Sequence, residues 1–165
     1  MTEILSGSTT QTDAQITLSE MGGSTPFPSK RKCSSAMEKF SGAQPVRILV
    51  VEDFPRFREY IYSELEKRPS LRIIGETADG LEAVQKAVEL TPDLILMDIG
   101  LPSLNGIDAS RIILELVPST KIILLSQESS ISVMQGALNV GASGYVVKMK
   151  AALELLPAIE AATSC

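Results

Sequence analysis

The chain has 165 residues, 44% of them hydrophobic, and a formal net charge of −5. That length suits one domain with an appended tail, and the acidic balance gives the chain as a whole no pull toward nucleic acid. There is no histidine, which removes the commonest metal ligand and the usual general base, and the two cysteines, Cys33 and Cys165, form neither a disulfide framework nor a zinc spacing.

Residues 1 to 45 are rich in Ser, Thr, Gly, Gln and Pro, with "MGGSTPFPS" at their centre and a thin apolar set of Ile4, Leu5, Ile16 and Leu18. Such a segment cannot bury enough apolar surface to offset its ordering entropy, so a disordered or flexible extension is expected. The basic run Lys30, Arg31, Lys32 inside it reads as part of a solvated tail. No apolar run approaches the ~18 residues of a membrane span, and no apolar h-region opens the chain, so a cytoplasmic, reduced setting is expected.

From Val46 the pattern changes to short apolar runs alternating with longer amphipathic ones. The spacing predicts strands at Arg47–Val51, Arg72–Thr77, Leu94–Met97, Lys121–Leu125 and Gly144–Val147. Most lack polar alternation, as strands covered on both faces do. Helices are predicted between and after them. Pro55–Arg68 carries Phe57, Ile61 and Leu65 at i, i+4 and i+8, with Pro55 suited to the first turn. Gly80–Leu90 places Val84, Ala87 and Val88 on one side, and Gly106–Val117 follows a Pro-Ser-Leu-Asn-Gly loop. Ser129–Asn139 runs toward Gly141, a C-cap, and Ala151–Ala162 contains Pro157 as a kink or interruption. Five β-α units with right-handed crossovers give an α/β, doubly wound (βα)5 architecture: a five-stranded parallel sheet with helices on both faces.

In such sheets the ligand site lies at the carboxyl ends of the strands. The first predicted strand runs into Glu52 and Asp53, the third into Asp98, the fourth into Ser126 and the fifth into Lys148. Three carboxylates close together repel one another unless a cation joins them, and hard oxygen donors suit Mg2+. A lysine and a hydroxyl beside them suit a phosphoryl group carried on Asp98, whose added charge Mg2+ and Lys148 would offset and to which Ser126 would donate.

The segments "ILVVED", "PDLILMDIGLPSLNG", "IILLS" and "GASGYVVK" resemble the receiver domain of two-component response regulators, the CheY-like, flavodoxin-like fold, and within it the NarL/FixJ-like subgroup. Spacing agrees as well: Asp98 follows Asp53 by 45 residues, Ser126 follows Asp98 by 28, and Lys148 follows Ser126 by 22. The resemblance covers residues 46–163 and implies a phosphoacceptor at Asp98. It implies Mg2+ held by Glu52, Asp53, Asp98 and the backbone carbonyl of Gly100, Ser126 as switch hydroxyl, Tyr145 as switch aromatic, and Lys148 on the phosphoryl group. It further implies a histidine kinase or phosphotransfer protein as donor, and a homodimer through the face of the fourth helix, fifth strand and fifth helix. Output would be control of transcription through a C-terminal DNA-binding domain that residues 1–165 do not contain, so neither direct nucleic-acid binding nor membrane insertion is expected of the chain itself. One departure is Met149, where the family often has proline after the lysine.

Three other readings compete. One is a stand-alone or degenerate receiver, acting as a protein-interaction module without phosphorylation. A phosphohydrolase with an aspartate nucleophile wants a second acid two residues on, where this chain has Gly100. A flavin or cobalamin carrier shares the fold, but the usual cobalamin ligand, histidine, is missing.

Overall fold

The structure, a computed structural model, describes residues 42–164; the extension expected over residues 1–45 lies outside the described residues except for its last four positions. The strands are β1 (Val46–Val51), β2 (Leu71–Thr77), β3 (Leu94–Asp98), β4 (Lys121–Ser126) and β5 (Gly144–Val147). The helices are α1 (Pro55–Glu66), α2 (Gly80–Leu90), α3 (Gly106–Leu116), α4 (Ile131–Asn139) and α5 (Ala151–Thr163). All strands pair in parallel, in the order β2-β1-β3-β4-β5. This is the (βα)5 doubly wound sheet expected from the sequence, with element ends shifted by a residue or two.

Alternation along the strands divides the core in two. Ile48, Val50, Leu94, Leu96, Ile123, Leu125 and Val146 pack against Ile61 and Leu65 of α1 and Leu155 and Ile159 of α5. Leu49, Val51, Ile95, Met97, Ile122 and Leu124 pack against Ala83 and Ala87 of α2, Ala109 and Ile113 of α3, and Ala137 of α4. Each fully buried Leu or Ile contributes about 1.5–3 kcal/mol relative to an exposed one. In the central strand β3 all five positions are buried, so its polar residue falls at its end.

Three local details qualify the reading from sequence. Val88 does not join the buried stripe of α2; it is exposed, and Ala83 and Ala87 carry the contact, because small residues let the helix approach the sheet closely. The edge strand β2 is only half-buried along most of its length, since it has one neighbour and less cover. Pro157 does not interrupt α5, which runs through to Thr163. The carbonyl deprived of its partner belongs to Leu153, which is 80% exposed, so water can satisfy it. Gly141 does close α4. It sits at φ +84°, with its N–H on the Leu138 carbonyl at 3.0 Å and that of Ala142 on the Ala137 carbonyl at 3.2 Å, the paired bonds of a Schellman motif.

Gly106 opens α3 against the end of β3. A Cβ placed there would lie 2.0 Å from the Asp98 carbonyl oxygen and 2.9 Å from Ile99 Cα, both backbone. Gly136 in α4 is different: its nearest neighbour would be Ile107 Cδ1 at 3.4 Å. The same substitution should therefore have opposite signs. In urea denaturation, Gly106→Ala is expected to cost about 3 kcal/mol from forced backbone displacement. Gly136→Ala is expected to stabilise by about 0.5–1 kcal/mol by restricting the unfolded chain and suiting the helix.

Candidate functional site

Strand order reverses between β1 and β3, leaving a crevice beyond their carboxyl ends. Glu52 follows β1 directly and is fully buried; Asp98 is the last residue of β3 and is 4% exposed. Asp53 is exposed at the mouth. One carboxylate oxygen from each of the three lies within 4.8 Å of the others, and among the described residues this is the group of acidic side chains able to hold a metal ion.

Lys148 stands against them. It lies just after β5 in a 3-10 turn, Lys148–Lys150, with Met149 pointing into solvent. The Lys148 ammonium donates to Glu52 Oε1 at 2.8 Å and lies 3.0 Å from Asp98 Oδ2. Its side chain is 8% exposed. The second Asp98 oxygen, Oδ1, accepts from the Gly100 N–H at 3.1 Å. Phe54 N–H donates to Glu52 Oε1 at 3.1 Å, and the Arg58 guanidinium donates to the Glu52 backbone carbonyl at 3.0 Å. Glu52 Oε2 is buried with no hydrogen-bond partner. An orphaned buried carboxylate oxygen is costly, and a hard divalent cation is the partner its chemistry suits. The residues present thus fit Mg2+.

Electrostatics say the same. Burial pushes the Glu52 carboxyl above its ordinary 4.5, and the Asp98 charge adds to this; the Lys148 hydrogen bond pulls the other way without cancelling it. The Asp53 carboxyl is also raised from 3.8, by partial desolvation first and then by its Asp98 neighbour. One lysine does not compensate three carboxylates.

On the other side of the crevice, Ser126 ends β4, and its Oγ accepts from the Glu128 N–H at 3.0 Å. The Tyr145 hydroxyl donates to the Glu128 carbonyl. Asp53, Asp98, Gly100, Ser126 and Glu128 line one open cleft of about 390 Å³, with Ile99, Gln127 and Val133 completing it. The structure therefore brings the sequence-predicted residues Glu52, Asp53, Asp98, Gly100, Ser126 and Lys148 to one sheet edge, with Tyr145 joined through Glu128. Sequence reasoning did not single out Phe54, Arg58, Gln127 or Val133. Their signal was position: each lies in a loop or first helical turn just after a strand end.

Raised carboxyl values make the metal-free site a burden on stability at neutral pH. The favourable part of each shift is present below the ordinary value and is lost as pH rises through the raised folded value. Asp53→Asn should accordingly raise the melting temperature of the metal-free protein at pH 7, by an amount that solvent screening of the exposed Asp53 keeps small. That gain should shrink as pH falls below the carboxyl range, as differential scanning calorimetry in EDTA would show.

A family model described as "Response regulator receiver domain" matches residues 48–160. The protein-glutamate methylesterase/protein-glutamine glutaminase of Thermotoga maritima is 38% identical over 67% of this chain and 32% of its own length. The transcriptional regulatory protein LiaR of Bacillus subtilis is 36% identical over 72% of this chain and 56% of its own. The chain thus spans between a third and a little over half of these relatives. Among solved structures, the response regulator domain of Thermotoga maritima CheB superposes with a TM-score of 0.68 at 34% identity, covering 74% of this chain and 98% of that one. With the site at the carboxyl edge of a sheet of this order, the chain belongs to the response regulator receiver domain family of two-component signalling.

Proposed function

We propose that the chain is a phospho-switch in which Asp98 accepts a phosphoryl group from a histidine kinase or phosphotransfer protein, with Mg2+ bound. The carrying observation is the pairing of Asp98 with Lys148 beside the orphaned Glu52 oxygen. A carboxylate oxygen of Asp98 attacks the phosphorus of a phosphohistidine. The O–P bond forms as the N–P bond breaks, and the electron pair leaves with the donor's imidazole. Glu52, Asp53, Asp98 and the Gly100 carbonyl would hold Mg2+, which when bound would supply positive charge to the phosphoryl oxygens. Lys148 is already within reach of Asp98 and offsets the charge of the phosphoryl group that arrives there. Gly100 N–H and Lys148 fix the two carboxylate oxygens, so the nucleophile is oriented before the donor arrives.

Ser126 then gives up its bond from the Glu128 N–H and donates to the phosphoryl group, and Tyr145, tied to the same Glu128, responds. The face of α4, β5 and α5 changes its preference for partners, a second copy of the chain among them. Transcription is the output proposed, by analogy with LiaR, through a DNA-binding domain outside residues 1–165. The part played here is that of a phosphoacceptor and signalling module, with at most self-catalysed gain and loss of the phosphoryl group.

Intact-mass spectrometry after incubation with acetyl phosphate and Mg2+ tests the reading. One added phosphoryl mass is expected, absent with EDTA and absent in Asp98→Ala, and Lys148→Met should slow labelling on the order of 100-fold. Labelling that persists in Asp98→Ala would sink the assignment of Asp98.

A further inference from the structure

We propose that Phe57 is a positioning residue for this chemistry, its ring face holding the Lys148 ammonium against Glu52 and Asp98. The contact stands on geometry; its chemical consequence rests on the phosphoacceptor reading above. Lys148 Nζ lies 5.1 Å from the centroid of the Phe57 ring, within cation–π range. The same nitrogen is 2.8 Å from Glu52 Oε1 and 3.0 Å from Asp98 Oδ2. An ammonium has three N–H bonds. One donates to Glu52 and a second carboxylate, that of Asp98, stands at ion-pair distance; with the side chain 8% exposed, an aromatic face stands beside the ammonium where water otherwise would.

The ring is itself held. Pro55 starts α1, and the Phe57 N–H bonds the Phe54 carbonyl at 3.1 Å. Tyr60 stacks on Phe57 with ring centroids 5.7 Å apart and planes at 28°. One turn on, Ile61 is fully buried and anchors the helix to the sheet. The chain of contact runs from Tyr60 to Phe57 to Lys148 and ends on two of the three carboxylates. A lysine stem is flexible and its ammonium strongly hydrated. A fixed negative ring face limits its excursions and keeps it partly desolvated, which strengthens its pull on the phosphoryl charge arriving at Asp98.

In the sequence Phe57 belongs to an apolar stripe with Ile61 and Leu65, and packing alone would account for it. Fluorination separates the two roles, because it leaves ring shape nearly unchanged while stripping negative potential from the face. The full chain is made with 4-fluoro-, 3,4,5-trifluoro- or pentafluorophenylalanine at position 57, and as Phe57→Leu and Phe57→Tyr. The first readout needs no phosphoryl group: NMR of the Lys148 ε-methylene and ammonium protons. An upfield ring-current shift is expected in the unsubstituted protein and its loss in Phe57→Leu. The second is the rate of mass gain with acetyl phosphate and Mg2+. It should fall stepwise with fluorination to about a tenth, fall similarly in Phe57→Leu, and hold in Phe57→Tyr.

Labelling rates that stay within about twofold across the fluorinated series overturn the proposal, since packing would then be the whole role of Phe57. Lys148 resonances that do not move in Phe57→Leu overturn it too. Should the unsubstituted protein take no phosphoryl group, the phosphoacceptor reading falls, and the Lys148 resonances alone decide the contact.

Discussion

Three carboxylates and one ammonium meet at the end of a buried sheet, and the rest of the molecule is arranged around that imbalance. Lys148 reaches two of the acids and leaves a buried Glu52 oxygen without a partner. A formal charge of −2 remains, which is what one divalent cation offsets. Removing a carboxylate would ease the repulsion, as the raised Glu52 and Asp53 values indicate. The cluster is therefore a feature that opposes folding and equips the edge for chemistry, as functional sites commonly do. The apolar layers beneath supply the stability that makes it tolerable.

The two-layer core also sorts the site residues. Glu52, Asp98 and Lys148 continue the phase of Val50, Leu96 and Val146, the side chains that pack toward α1 and α5. Ser126 and Tyr145 share the phase of the residues packed toward α2, α3 and α4. Glu52, Asp98 and Lys148 are thus gathered on one side of the sheet, with Ser126 and Tyr145 on the other and Asp53 at the mouth of the cleft they share. The connection between them is short: Asp98 pairs with Leu125 across β3 and β4, the Ile99 N–H bonds the Leu125 carbonyl at 2.9 Å, and Ser126 is next. A change of charge at Asp98 meets the end of β4 without any intervening element.

Most of this could be read in the chain because parallel strands leave so little freedom. An apolar run covered on both faces must put its polar residues at its ends, so Glu52, Asp53, Asp98, Ser126 and Lys148 announced one edge. What escaped reading had specific causes. The exposure of Val88 followed from alanines winning the close approach of α2, a choice of helix rotation that two adjacent apolar phases leave open. Pro157 was tolerated where the carbonyl it orphans belongs to an exposed residue, Leu153. Glu128 joins Ser126 to Tyr145 through its backbone, and backbone contacts leave no mark in residue identity. Phe57 looked like packing because one ring can fill a core stripe and face a lysine at once.

The two ends of α4 are held unequally. Its C-terminus is closed by the paired bonds around Gly141, and its one buried residue, Ala137, lies in that last turn. Its N-terminus rests on the Ser130 hydroxyl, 3.4 Å from the Val133 N–H, with Ile131 74% exposed. The end held by this single side-chain cap lies just after Glu128, so the backbone that joins Ser126 to Tyr145 runs straight into the less firmly packed end of the helix.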